Sequence, residues 1–115
     1  GIEAVYQKGA LVKLYGLRTC DTCRKALKSL ATVEFYDLRA DGLPEDVAQA
    51  AYARFGADLV NRRSTTWRQL PEAERARDPL ALLADHPTLM KRPLIDDGGT
   101  LYLGWGKDTQ AALLG

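Results

Sequence analysis

Apolar positions come in a tight run at Leu11, Val12, Leu14, Tyr15 and Leu17, which predicts a buried strand ending near Gly16. From Asp21 to Leu30 the period changes. Ala26, Leu27 and Leu30 share one face while Arg24, Lys25 and Lys28 lie elsewhere, the pattern of an amphipathic helix. Val33 to Leu38 alternates well enough for a second strand. Strand, helix, strand in that order predicts a parallel pair joined by a right-handed crossover. A turn at Asp41-Gly42-Leu43-Pro44 then opens a helix with Val47, Ala48, Ala51 and Phe55 apolar and Gly56 as its stop.

The stretch 57–86 carries only short helical signals, at Ala57 to Val60, Thr65 to Leu70, Pro71 to Ala76 and the run opened by Asp78-Pro79. Pro93 to Asp96 and Thr100 to Leu103 read as two strands, and Asp97-Gly98-Gly99 between them is hairpin chemistry. Lys107 to Leu114 closes the chain as a helix. The order β-α-β, helical block, β-β-α predicts an α/β protein with a mixed sheet and an insertion at about 44–86. One domain is expected over 11–115; residues 1–10 are set aside as an extension or a cloning remnant.

Composition narrows the function. With 16 basic and 15 acidic residues the net charge is +1, so neither nucleic acid nor a membrane surface is an expected partner. No apolar run is long enough to span a bilayer, and no signal-peptide pattern appears; a cytoplasmic location is expected.

The two cysteines of the chain form Cys20-Asp21-Thr22-Cys23, directly after the first strand and at the start of the first helix. In a reducing compartment that spacing points to thiol chemistry. Unpaired N–H groups at the helix start, with Arg18, Arg24 and Lys25 nearby, are expected to lower the Cys20 pKa and make it the nucleophile. Cys23 is close enough to form or resolve a disulfide. Zinc is a weaker alternative, because only His86 and carboxylates remain to complete four ligands. A structural disulfide would close a very small loop and add little. Together with C-x-x-C, the element order is that of a thioredoxin-like fold, with Cys20 at the carboxyl end of the parallel strands.

Four segments carry a family resemblance: Tyr15 to Ala26, Tyr36 to Leu43, Leu59 to Arg68 (Leu-Val-Asn-Arg-Arg-Ser-Thr-Thr-Trp-Arg) and His86 to Ile95. In order and spacing they resemble the arsenate reductase (ArsC) family of the glutaredoxin-coupled type, in its YffB branch with the Spx regulators as relatives. The resemblance covers residues 11 to about 106. It implies a thioredoxin-like fold with a helical insertion, Cys20 as nucleophile, Arg63 and Arg92 binding an anionic substrate, and Pro93 in a cis peptide bond facing the thiol. It further implies no bound cofactor, glutathione as co-substrate and glutaredoxin as a possible electron partner. Fixed guanidinium forks suit such anions.

Two departures shape the expectation. True arsenate reductases of this type carry a third arginine in the strand after the proline motif, where this chain has Tyr102-Leu103-Gly104-Trp105-Gly106. Cys23 is absent from those enzymes and frequent in Spx proteins. The expected function is therefore a glutathione-linked thiol-disulfide reductase. The alternatives are an Spx-like redox switch binding the RNA polymerase alpha subunit, and true arsenate reduction. For His86 a helix-end role is expected, and for Trp67 and Trp105 a packing role.

Overall fold

A computed structural model describes residues 2–4, 12–30 and 32–115. Its elements are β1 (Ile2–Ala4), β2 (Val12–Gly16), α1 (Asp21–Ser29), β3 (Glu34–Asp37), α2 (Leu38–Asp41), α3 (Glu45–Phe55), α4 (Thr65–Gln69), α5 (Glu72–Arg75), α6 (Pro79–Asp85), β4 (Leu94–Asp97), β5 (Thr100–Leu103) and α7 (Lys107–Leu114). They group into a sheet unit, made of the chain up to Asp41 and from Arg92 onward, and a helical unit, Gly42–Lys91.

The sheet has the order β1-β3-β2-β4-β5. Strands β2 and β3 run parallel, from Lys13 opposite Glu34 to Gly16 opposite Asp37. A parallel neighbour requires a crossover, and α1 supplies it. The β4–β5 hairpin adds to the other edge of β2, with β4 antiparallel to β2 and β5 antiparallel to β4. Its two-residue turn, Gly98-Gly99, has φ of 58° and 101°, which only glycine adopts readily at both positions. This is the α/β, thioredoxin-like arrangement expected from the sequence.

Leu14 pairs with Phe35 on one side and Ile95 on the other, so three fully or almost fully buried side chains form one row across the sheet. Helix α1 contributes Cys23 and Ala26, and Leu30 follows at its C-cap. Positions 23, 26 and 30 recur at helical spacing and bring one face of α1 against that row. The face carrying Arg24, Lys25 and Lys28 is exposed.

Gly16 ends β2 at a place where any side chain would collide. A Cβ there would overlap the Cys23 sulfur and sit 3.3 Å from Leu14 Cδ2. The glycine therefore makes room for the buried thiol. Gly16→Ala is expected to cost about 1–3 kcal/mol by overpacking. Urea denaturation checks this, and adding Cys23→Ala should recover part of the loss.

Two features depart from the sequence expectation. The strand predicted to run through Leu38 stops at Asp37, because the Asp37 carboxylate accepts the Arg39 and Ala40 backbone N–H groups at 2.8 and 3.3 Å and starts a helical turn. Residues Ile2–Ala4, set aside as part of an extension, pair antiparallel with β3 as an edge strand. Leu11, the expected first residue of β2, lies outside the described residues.

In the helical unit, Ala48 and Ala51 of α3, Leu82 and Leu83 of α6, and Leu89 and Met90 beyond it are buried. Gly56, at φ 58°, ends α3 and leads into a 3-10 turn through Leu59. A single bridge joins Val60 to Met90, flanked by Asn61 N–H donating to Leu89 O and Lys91 N–H donating to Leu59 O, both at 2.8 Å. It fixes the chain just before the Arg92–Pro93 bond. No described helix is long and apolar enough to cross a membrane.

Candidate active site

Cys20 is the N-cap of α1: its backbone is extended (φ −87°, ψ 119°) and its carbonyl accepts the first helical hydrogen bond, from Arg24 N–H at 3.0 Å. The preceding turn is closed by Cys20 N–H donating to Leu17 O at 3.2 Å. The Cys20 side chain is half-buried against the core cluster around Leu14 and Phe35, whereas Cys23, one turn on, has no exposed surface. The two sulfurs are not joined in a disulfide.

Their proton affinities diverge. Burial acts to raise the Cys20 pKa. It is outweighed by the Cys23 backbone N–H, the Cys23 thiol and the Arg92 guanidinium, and the net result lies below the ordinary thiol value. As a thiolate Cys20 collects these donors, which is the anion-binding property of a helix start. Cys23 moves the other way. Burial, reinforced by the neighbouring Cys20, pushes its pKa up to about 12. The site thus separates one thiol whose ionisation is favoured from one that keeps its proton and donates it as a hydrogen bond.

The source of the positive field differs from the sequence expectation. Arg18 is 3.7 Å from the Asp37 carboxylate and its guanidinium lies 5.2 Å above the Phe35 ring. Neither Arg18, Arg24 nor Lys25 is among the groups that lower the Cys20 pKa; Arg92 is. A guanidinium tied to its own carboxylate contributes little net charge to a neighbouring thiol.

Arg92 is half-buried and precedes Pro93, which is buried; the peptide bond between them is cis. The Pro93 carbonyl accepts the Gly104 N–H at 2.8 Å, tying this bend to the end of β5. The structure therefore brings Cys20, Cys23, Arg92 and Pro93 into the sheet unit. Arg63 lies in the helical unit, with its side chain exposed. Its own N–H donates to the Asn61 carboxamide oxygen at 3.0 Å, Ser64 Oγ donates to Asn61 O at 3.0 Å, and the same hydroxyl caps α4 by accepting Trp67 N–H at 3.1 Å. The Asn-x-Arg-Ser motif is thus a self-closed turn ahead of α4. His86 is the C-cap of α6 and lies 3.6 Å from Glu74, a helix-end position as expected. Among the described residues no three His, Cys, Asp or Glu side chains converge to hold a metal.

Residues 15–113 match the ArsC family. The chain belongs to that family. An uncharacterized protein of Haemophilus influenzae is 43% identical over 112 residues, covering 89% of this chain and 98% of its own. Among solved structures, a YffB protein superposes with a TM-score of 0.80 at 32% identity, covering 90% of this chain and 99% of that one. An arsenate reductase-related protein from Brucella melitensis gives 0.68 at 27% identity, covering 95% and 98%. ArsC membership and the YffB likeness agree with the four sequence motifs, and they support an arsenate reductase-like thiol chemistry.

Sequence reasoning missed Gly16 as the clearance for Cys23. A glycine closing a buried strand, seven residues before a cysteine on the inner face of a helix, was the available signal. The opposed thiols give a direct expectation. Iodoacetamide at neutral pH should label one cysteine per native chain, at Cys20, and both after unfolding; peptide mapping by mass spectrometry reads the site.

Proposed function

We propose that the protein is a glutathione-linked thiol-disulfide reductase with Cys20 as its nucleophile. The observation that carries this reading is the opposed pair: a half-buried Cys20 whose thiolate is favoured by Cys23 and Arg92, beside a Cys23 whose proton is held. The Cys20 thiolate attacks the glutathione sulfur of a mixed disulfide, forming Cys20–S–S–glutathione and expelling the substrate as a thiolate. A second glutathione thiolate then attacks the glutathione sulfur of that adduct, releasing oxidised glutathione and regenerating Cys20. The substrate gains two electrons and two glutathione molecules are linked, so the cycle balances.

A Cys23 pKa near 12 favours external glutathione over Cys23 as the resolving thiol, with Cys23 serving as hydrogen-bond donor to the thiolate. Arg92 holds the anionic end of the substrate, and the family motif adds Arg63 to that role. Arsenate is the poorer fit, since the Tyr102 to Gly106 stretch offers no guanidinium.

The test is glutathione-coupled NADPH consumption with a small glutathione mixed disulfide and, separately, with arsenate. Turnover of the disulfide in clear excess over arsenate is expected. Arsenate turnover of equal efficiency would make the protein an arsenate reductase, and inactivity with both would move the reading to a redox-dependent contact with the polymerase alpha subunit.

A further inference from the structure

The exposed side of α1 has a feature that the thiol chemistry does not use. Asp21, Arg24, Lys25 and Lys28 line a shallow groove of about 320 Å³. Their spacing of three and four residues places them on one side of the helix, beside Cys20 and away from the buried Cys23 and Ala26. These four positions carry a net +2, whereas the whole 115-residue chain carries +1, so the positive charge is local. Asp21 and Arg24 approach only to 3.8 Å and are 89% and 65% exposed, a loose pair that an incoming carboxylate can displace.

Distances set what can lie there. At 1.5 Å per residue along the helix, Arg24 and Lys28 stand about 6 and 12 Å from Cys20. A peptide in extended form advances about 3.3 Å per residue, so its second and fourth residues fall about 7 and 13 Å from its own reacting sulfur. The two series match. A near-neutral molecule lacks the extended positive field of a nucleic-acid binder, and three cations suit two or three carboxylates.

We propose that this stripe selects disulfide-bearing peptides and proteins with Asp or Glu two and four residues from the reacting half-cystine. The inference rests on the thiol-disulfide reading above and names its substrate class. The peptide docks along α1 with its glutathionylated cysteine at Cys20. The Cys20 thiolate bonds to the glutathione sulfur, the peptide–glutathione disulfide breaks, and the peptide leaves as a thiolate.

The experiment measures single-turnover exchange between the reduced protein and three glutathionylated peptides that differ only at those two positions: Asp, Asn or Lys. Each rate is divided by that of the same peptide with free glutathione, which removes intrinsic disulfide reactivity. At low salt the Asp peptide should exchange about tenfold faster than the Lys peptide, with the ratio falling toward one near about 0.5 M salt. Arg24→Glu with Lys28→Glu should invert the order; circular dichroism checks folding, and Arg24→Gln with Lys28→Gln gives the same test at smaller amplitude. Equal rates for all three peptides, or a preference untouched by these substitutions, would overturn the docking proposal while leaving the thiol reading intact. No exchange with any peptide would remove both. Preference without glutathione turnover would keep the docking surface and remove the glutathione-linked cycle. A single-stranded oligonucleotide that slows exchange more strongly than a thiol-free acidic peptide would assign the stripe to nucleic acid and overturn the proposal.

Discussion

Cys20→Ser is expected to abolish disulfide turnover, lowering kcat/KM by at least about three orders of magnitude, while leaving the fold intact. At neutral pH a serine hydroxyl is essentially un-ionised, and oxygen cannot form the mixed disulfide that the cycle passes through. The structural cost is small, since Cys20 is a half-buried N-cap position and serine is among the residues preferred there. The variant should match the wild type in urea denaturation within about 1 kcal/mol, or exceed it if the new hydroxyl caps α1. Coupled NADPH consumption measures the activity, and intact-mass analysis after incubation with oxidised glutathione reads the adduct: one glutathione on the wild type, none on the variant. Residual turnover above a hundredth of wild type would shift the nucleophile away from Cys20.

Cys23→Ala separates the two thiols. It should leave turnover within about tenfold of wild type, because in the proposed cycle a second glutathione resolves the adduct. It should also raise the Cys20 pKa, since the Cys23 thiol is one of the donors to that thiolate. A fall as deep as that of Cys20→Ser would make Cys23 the resolving thiol after all.

Much of this architecture was legible in the sequence, because two periods alternate along the chain. The period-2 strands and the amphipathic α1 define the β-α-β unit, and Gly98-Gly99 marks a tight hairpin turn. What escaped was decided by local hydrogen bonding and by tertiary pairing. Leu38 continues an apolar alternation, yet the Asp37 carboxylate captures two backbone N–H groups and turns the chain into α2. Ile2–Ala4 is too short to carry a pattern and is held by its partner strand.

The candidate site divides the same way. Cys20 and its helix-start position follow from C-x-x-C after a strand. Which arginine acts on the thiol does not follow from sequence proximity. Arg18 is two residues away but is engaged with Asp37 and Phe35, while Arg92, distant in sequence, is carried back by β4 pairing with β2. Clustering basic residues near a nucleophile in the sequence overstates their electrostatic effect when carboxylates share the space.

Arg92→Met should therefore produce the second large effect, a loss of about 10- to 100-fold in kcat/KM at pH 6.5. Two consequences combine. The guanidinium both donates to the Cys20 sulfur and places a full positive charge beside it, so its removal raises the Cys20 pKa toward the ordinary thiol value of 9.0. The sign is then fixed. Below the lowered wild-type pKa both proteins are protonated and react slowly; between that pKa and 9.0 the wild type holds more thiolate; well above 9.0 both are ionised and the gap narrows. The rate of iodoacetamide alkylation against pH measures this directly, with the midpoint of Arg92→Met displaced to higher pH. The lost anion contact adds a rise in KM for glutathione disulfides that persists at high pH. Arg92→Lys separates the two. A lysine retains the charge but not the fork, so it should restore much of the pH midpoint and little of the KM. An alkylation profile that is the same for wild type and Arg92→Met would show that the thiolate is stabilised by the helix start and Cys23 alone, and would leave Arg92 only its proposed role in holding the substrate.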